Sequence, residues 1–329
     1  MISNKNPQPQ STFGSSPYGG DGWSARKASH QQELGRVWRD CGIDSEWRKL
    51  KSVLLHCPGE ELVGIQDDPS AAQMLAPLDI NRAIDEHQAM TELYQSLGIE
   101  VQLVEPEHPC QPNLMFCADL FVMTPQGAIL ARPASTVRAG EERWVARKLA
   151  DLGIPILKTL TGGATFEGAD LMWIDEKTAM IGRGLRTNQA AIMQIEQLLS
   201  ELGIELIAVD SPYGIMHFMS LLRIVDSDLA ICWPRRTPFA TVTALREHGY
   251  KVEFPPFEDD QASYRGINFV TLGARRIMMV GNLPKVQSYF EGLGIECLTT
   301  STDELTKAAG NVGCLTGILL REKSPSEKA

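Results

Sequence analysis

No stretch of this 329-residue chain is apolar for long enough to span a bilayer as a helix, so membrane insertion of that kind is excluded as its organising principle. Seven cysteines occur, at 41, 57, 110, 117, 232, 297 and 314, an odd number with no Cys-x-x-Cys pair. That spacing argues against a disulfide framework and a zinc site, and it points to a reducing compartment. Positive charge is also short: 31 Lys and Arg face 41 Asp and Glu, a net charge of −10. The balance disfavours a general nucleic-acid or anionic-membrane surface and is compatible with a small cationic ligand. Met1-Ile2-Ser3-Asn4-Lys5 carries no apolar run of the signal-peptide kind, so the expected location is cytoplasmic.

What the chain does have is a repeat. Leu97-Gly98-Ile99-Glu100, Leu152-Gly153-Ile154-Pro155, Leu202-Gly203-Ile204-Glu205, His248-Gly249-Tyr250-Lys251 and Leu293-Gly294-Ile295-Glu296 share one pattern, with glycines 45 to 55 residues apart. Glycine ends a helix because it adopts the left-handed conformation cheaply, and the apolar residue after it opens a strand. Spacing of this regularity is the mark of a repeat architecture. Each unit reads as two strands joined by a tight turn, a helix and a short strand. In the second unit the strands are Leu171–Ile174 and Thr178–Ile181, and apolar residues at 192, 195, 198, 199 and 202 give residues 187–202 the helical period. A last apolar strand from Cys314 to Leu320 finds its natural partner in residues 51–57, which would close a ring and protect the sheet edges. The expectation is an α/β fold, a five-bladed pseudo-symmetric propeller with helices outside, forming one domain over residues 31–322. Residues 1–30, rich in Gln, Ser, Pro and Gly, and residues 323–329 read as tails. The first strand places the start of regular structure near Trp47.

At a matching point in each unit, just before an apolar strand, stand Asp119, Glu167, His217, Asn268 and Cys314. Taken singly, each has an ordinary explanation. A cysteine before a strand is usually a small buried hydrophobe, a lone histidine a hydrogen-bonded core residue, and acids among glycines turn caps. Their common phase changes the reading: units closed around an axis would bring two carboxylates, an imidazole, an amide and a thiol into one pocket, an active site.

These residues resemble the guanidino-group-modifying enzymes on the five-bladed α/β propeller (pentein) fold, which include arginine deiminases, dimethylarginine dimethylaminohydrolases and amidinotransferases. The resemblance runs from about residue 50 to 321. Leu54-Leu55-His56-Cys57-Pro58-Gly59-Glu60 is similar to the opening strand and turn of deiminases. Phe116 to Asp119 resembles the segment whose aspartate binds the guanidinium, and Phe166-Glu167-Gly168-Ala169-Asp170 the Glu-Gly-Gly-Asp motif, with Ala169 in place of a glycine. His217 matches the catalytic histidine and Cys314-Leu315-Thr316 the nucleophile segment. Two arginines resemble those with which the dimethylarginine hydrolases grip a substrate carboxylate: Arg138, after Arg132-Pro133, and Arg186, in Arg186-Thr187-Asn188. Planar guanidinium donors suit that task, although either could be an ordinary salt-bridge residue. Where deiminases and amidinotransferases carry His-x-Asp, this chain has His217-Phe218-Met219, and His217 to Ser220 looks instead like the dimethylarginine hydrolases.

The resemblance implies a cysteine-dependent hydrolase of arginine or an N-alkylated arginine analogue. Cys314 would be nucleophile and His217 acid and base, with Glu167 beside them. Asp119, Asp170, Phe116, Met219, Asn268, Arg138 and Arg186 would surround the substrate, and no metal or cofactor is required. Two other readings stay open: an amidinotransferase passing the amidino group to an amine, and a non-catalytic propeller of the kind found in the ribosome anti-association initiation factor. The partner expected is a small cationic guanidino compound, with no nucleic acid and no membrane. A homo-oligomer is compatible with the sequence and is not read from it.

Overall fold

The computed structural model describes residues 25–256 and 265–324. The tail expected over residues 1–30 lies outside them up to residue 24, and the carboxyl-terminal tail from residue 325. Five three-stranded sheets follow one plan. In the second, β6 (Leu171–Asp175) and β7 (Thr178–Arg183) form an antiparallel hairpin, α4 (Gln189–Glu201) crosses over, and β8 (Glu205–Asp210) returns parallel to β7. The same plan joins β3 (Phe121–Thr124), β4 (Gly127–Leu130), α3 (Glu142–Asp151) and β5 (Ile156–Thr159). It recurs in β9 (Leu222–Asp226), β10 (Leu229–Cys232), α5 (Phe239–Glu247) and β11 (Lys251–Glu253), and in β12 (Val270–Gly273), β13 (Arg276–Val280), α6 (Pro284–Gly292) and β14 (Glu296–Thr300). The fifth sheet joins the chain's two ends. β15 (Gly317–Arg321) runs antiparallel to β1 (Leu50–Leu55), which pairs in parallel with β2 (Glu100–Leu103) after α2 (Ile80–Ser96).

The helix ends explain why the repeat was visible in the sequence. Ile99, Ile154, Ile204, Tyr250 and Ile295 each donate a backbone N–H to the residue five earlier, at 2.9–3.1 Å, and the glycine before each has φ between 72° and 86°. This is the Schellman closure, and it needs a residue that tolerates positive φ at that point. Asn188 starts α4 by accepting from the Ala191 N–H. The first two strands of each hairpin are buried on both faces, whereas the outer strand β8 is buried at only one residue, so the core lies between the hairpins and the helices.

Three local expectations shift. The chain joins the body before Trp47: Cys41 and Ile43 are buried, and the Gly42 N–H donates to the Leu319 carbonyl at 2.8 Å. β1 ends at Leu55, because His56 turns its ring to the Val104 carbonyl instead of continuing the ladder. Cys314 lies not in the last strand but on a single helical turn, α7 (Val312–Leu315), started by the Asn311 side chain accepting from the Val312 N–H.

Candidate active site

Each unit enters its first strand through a short turn, and those turns pack against one another. Asp119 closes the turn Cys117–Asp119, Glu167 precedes Gly168–Asp170, His217 precedes Phe218–Ser220, and Cys314 rides on α7. Glycine makes this crowding possible. A Cβ at Gly168 would lie 2.2 Å from the Phe121 carbonyl oxygen, and one at Gly313 would lie 2.5 Å from Asn268 Oδ1.

The five residues of common phase do converge. His217 Nε2 is 2.6 Å from Glu167 Oε2, and its Nδ1 is 3.7 Å from Asp119 Oδ1. Asn268 Nδ2 donates to Cys314 Sγ at 3.1 Å. Asp119, His217 and Cys314 line one pocket, together with Phe116, Met216 and Gly310. Asp119 Oδ1, Asn268 Oδ1 and Glu141 Oε1 are buried without a hydrogen-bond partner among the described residues. A buried lone pair of a carboxylate is costly unless a ligand uses it.

The electrostatics are those of a site built for positive charge. Burial works against an imidazolium at His217, but Asp119 and Glu167 outweigh it and hold the ring at about 9. Glu167 is likewise disfavoured by burial, yet the hydrogen bond from His217 and the guanidinium groups of Arg138 and Arg186 bring it down to about 2. Burial pushes Glu141 up to about 7 and Asp170 up to about 6. Cys314 is raised, first by burial and then by the charge of Asp119, while Asn268 and the Asn311 backbone pull the other way. The resting pair is therefore a thiol beside an imidazolium.

Other expected residues take different places. Asp170 accepts from Thr187 Oγ1 at 2.6 Å and from the Phe218 N–H at 2.8 Å, so it braces the histidine turn and does not line the pocket. Met219 also misses it. Three residues complete a 3-10 turn, so a side chain two positions on points well away, and Met219 lines a separate axial cavity with Glu46, Arg223 and Arg321. Met216 supplies the thioether in the pocket instead. Asn268 touches the thiol and is not a pocket-lining residue.

Arg138 and Arg186 do reach the site, but they face its acids. Arg138 Nη1 lies 2.6 Å from Asp119 Oδ2 and 3.3 Å from Glu167 Oε2, and its Nε donates to Glu141 at 2.9 Å. Arg186 Nη1 is 3.1 Å from Glu167 Oε1, and its Nη2 has a long 3.4 Å contact with Gln73. Glu141, Gln73, Asn113 and Thr187 were not singled out from the sequence; only Arg138 and Glu141, three apart on a turn, offered a faint signal. Asp119, Glu167 and His217 bring ligand atoms within 4.8 Å of one another, as a metal would need. Two guanidinium groups already supply the positive charge there, which favours an organic cation.

Comparison with known proteins follows the same line. Residues 73–236 match the family model described as N,N dimethylarginine dimethylhydrolase, eukaryotic. An N(G),N(G)-dimethylarginine dimethylaminohydrolase of Streptomyces coelicolor is 28% identical over 245 residues, 74% of this chain and 88% of that protein. A solved structure of the Pseudomonas aeruginosa enzyme of that name, a cysteine-to-serine variant complexed with citrulline, has a TM-score of 0.70 at 20% identity and covers 82% of this chain and 99% of its own. An amidinotransferase of Microseira wollei has a TM-score of 0.68 at 14% identity over 88% of this chain and 99% of its own. At these identities the structural matches establish the fold.

Proposed function

Because the chain belongs to the guanidino-group-modifying superfamily with the five-bladed pentein fold, we propose that it hydrolyses the guanidinium group of arginine or an N-alkylated arginine through Cys314. The observation that carries the reading is the meeting, in one buried pocket, of a thiol, an imidazolium bracketed by two carboxylates and an Asp119 Oδ1 that accepts no hydrogen bond among the described residues.

A guanidinium resists attack because its charge is spread over three nitrogens. Asp119 and Glu167 would fix it and concentrate positive charge on the central carbon. Its arrival also offsets the negative charge of Asp119 that raises Cys314, so the thiol gives up its proton to solvent once substrate is in place. The thiolate then forms the C–S bond. As the C–N bond to the departing ammonia or alkylamine breaks, His217 gives its proton to that nitrogen. Water adds to the resulting thiouronium and yields one proton to His217; the C–S bond then breaks, and the remaining hydroxyl proton returns to the departing thiolate, leaving a urea, the citrulline-type product, and the resting thiol. Phe116 and Met216 give the pocket an apolar wall suited to N-alkyl groups. Arg186, with its weakly held Nη2, is placed to meet a substrate carboxylate; Arg138 could do so only after leaving Asp119.

The test is intact-protein mass spectrometry after acid-quenching with arginine, methylated arginines and agmatine in turn. A Cys314 adduct that keeps the amino-acid skeleton identifies a hydrolase of that compound. An adduct of the bare amidino group makes the enzyme an amidinotransferase instead. Cys314→Ser should abolish turnover while ligand binding persists, and substantial turnover by that variant would remove Cys314 as nucleophile.

A further inference from the structure

A second cluster of metal-ligating side chains lies outside this pocket. His56 follows β1, Glu61 opens the 3-10 turn Glu60–Ile65, and Cys110 sits in the connection after β2. Their donor atoms lie within 4.8 Å of one another. His56 Nε2 is 3.5 Å from Glu61 Oε1 and 3.9 Å from Cys110 Sγ.

Two features pre-set the geometry. His56 Nδ1 is 2.8 Å from the Val104 carbonyl, which can only accept, so Nδ1 carries a proton and it is Nε2, able to hold either a proton or a metal ion, that faces the other two groups. A backbone carbonyl holding the far ring nitrogen in this way is the usual support for a metal-bound histidine. Glu61 Oε1 is fixed in turn by accepting from the Gly59 N–H at 2.7 Å. Among the described residues no lysine or arginine forms an ion pair with Glu61. Three electron-pair donors thus face one point, and they need a positive centre between them, either a proton or a metal ion. The catalytic cluster differs here, because Arg138 and Arg186 already fill that need.

We propose that His56, Glu61 and Cys110 form a binding site for a borderline-soft divalent cation of the zinc class, with a fourth position open to water. One nitrogen, one sulfur and one oxygen match zinc's preference. In a tetrahedral zinc site the N···O and N···S edges are about 3.4 and 3.5 Å, so the two edges from His56 need side-chain shifts of only a few tenths of an ångström, and the Glu61–Cys110 edge lies within 4.8 Å. His56 is buried while Glu61 and Cys110 are each only partly buried, leaving a solvent side for entry. Cysteine spacing alone argued against zinc, because this site takes one residue from each of three separate segments.

The experiment is an anaerobic Co2+ titration of the full chain in a Cys314→Ser background, which takes the active-site thiol out of competition. The expected result is one equivalent of tetrahedral Co2+ with a thiolate charge-transfer band, displaced by Zn2+, and a thermal midpoint raised by Zn2+. Cys110→Ser should abolish the band, Glu61→Gln should weaken binding at least tenfold, and Cys57→Ser should change neither. Should Cys110→Ser fail to fold, the Glu61→Gln titration decides by itself. Retention of the band in Cys110→Ser, unchanged affinity in Glu61→Gln, or no stoichiometric binding by the background protein would each overturn the proposal, the last by making the positive centre a proton.

Discussion

Glu167→Gln should strip His217 of its resting proton. The substitution keeps the shape, and the amide oxygen can still accept from the Ala134 N–H. It removes one carboxylate and the 2.6 Å contact to His217 Nε2. Burial lowers the imidazolium while Asp119 and Glu167 raise it, with a net rise from 6.5 to about 9. At about 1.4 kcal/mol per unit, the acids exceed burial by about 3 kcal/mol. A folded value above the unfolded one means that this stabilisation is fully present below the unfolded value and is lost as pH rises through about 9. With Glu167 neutral, only Asp119 and, more weakly, Asp170 oppose burial, so His217 should fall toward its ordinary value. Urea unfolding of both proteins should then show a gap that is about 3 kcal/mol wider near pH 6 than near pH 10. Losing the pairs with Arg138 and Arg186 adds a component that does not vary over this range, because both arginines keep their charge. Proton NMR of the His217 ring gives the same answer directly. Turnover should drop by about a hundredfold or more, since the general acid is then neutral at working pH. If the stability gap is the same at both ends of the pH range, His217 does not carry its proton at rest, and the electrostatic account of the site fails.

Asn268→Ala removes the hydrogen bond that favours the thiolate, which is worth about 1.5–3 kcal/mol when the acceptor is charged. The pH profile of Cys314 alkylation by iodoacetamide should move up by about one to two units, and an unmoved profile would show that Asn268 only packs there. Gly310→Ala places a Cβ 2.0 Å from Phe116 Cε1, so urea denaturation should show a loss of about 1–3 kcal/mol; a neutral result would mean that the ring has room to move. Arg138→Ala leaves Glu141 without a cation and Asp119 with His217 alone, at a cost of about 3–5 kcal/mol. Low concentrations of guanidinium ion should raise the thermal midpoint of this variant and not of the wild type, and equal responses would count against a guanidinium-sized site at Asp119.

The fold was legible because its punctuation is local. A Schellman closure needs positive φ at one residue, so Gly98, Gly153, Gly203, Gly249 and Gly294 announce themselves at regular intervals. The turn before each first strand recurs at the same phase, so the sequence alone groups Asp119, Glu167, His217, Asn268 and Cys314. Residues whose significance rests on distant contacts stayed hidden. Gln73, from a segment with no repeat counterpart, meets Arg186 across 113 positions of sequence, whereas Glu141, only three residues from Arg138, was hidden because it looks like any helix-start acid. Met219 was expected at the pocket because it stands where deiminases and amidinotransferases carry the Asp of His-x-Asp; on the 3-10 turn that follows His217 its side chain instead lines the separate cavity with Glu46. The stretch after Leu55 misled in the same way, since an apolar run does not reveal that His56 will give up the ladder for the Val104 carbonyl.

Charge accounting at the pocket leads to a last step. Asp119, Glu167 and Glu141 all contact the guanidinium of Arg138, and the cavity beside them measures about 20 Å³, room for one water. The protein's own arginine thus occupies, at rest, two of the carboxylates that a substrate guanidinium would use. That arrangement avoids leaving buried acids without a cation, which would be far costlier than the pairing itself. It also sets a condition on turnover. A substrate must either take Asp119 from Arg138 or bind through Oδ1, the oxygen that Arg138 leaves free. In the first case the displaced arginine becomes available to a carboxylate on the same substrate, so recognition of one end of the ligand releases the group that binds the other. A guanidino compound without a carboxylate offers Arg138 no such exchange, and on this argument it should be the poorer substrate.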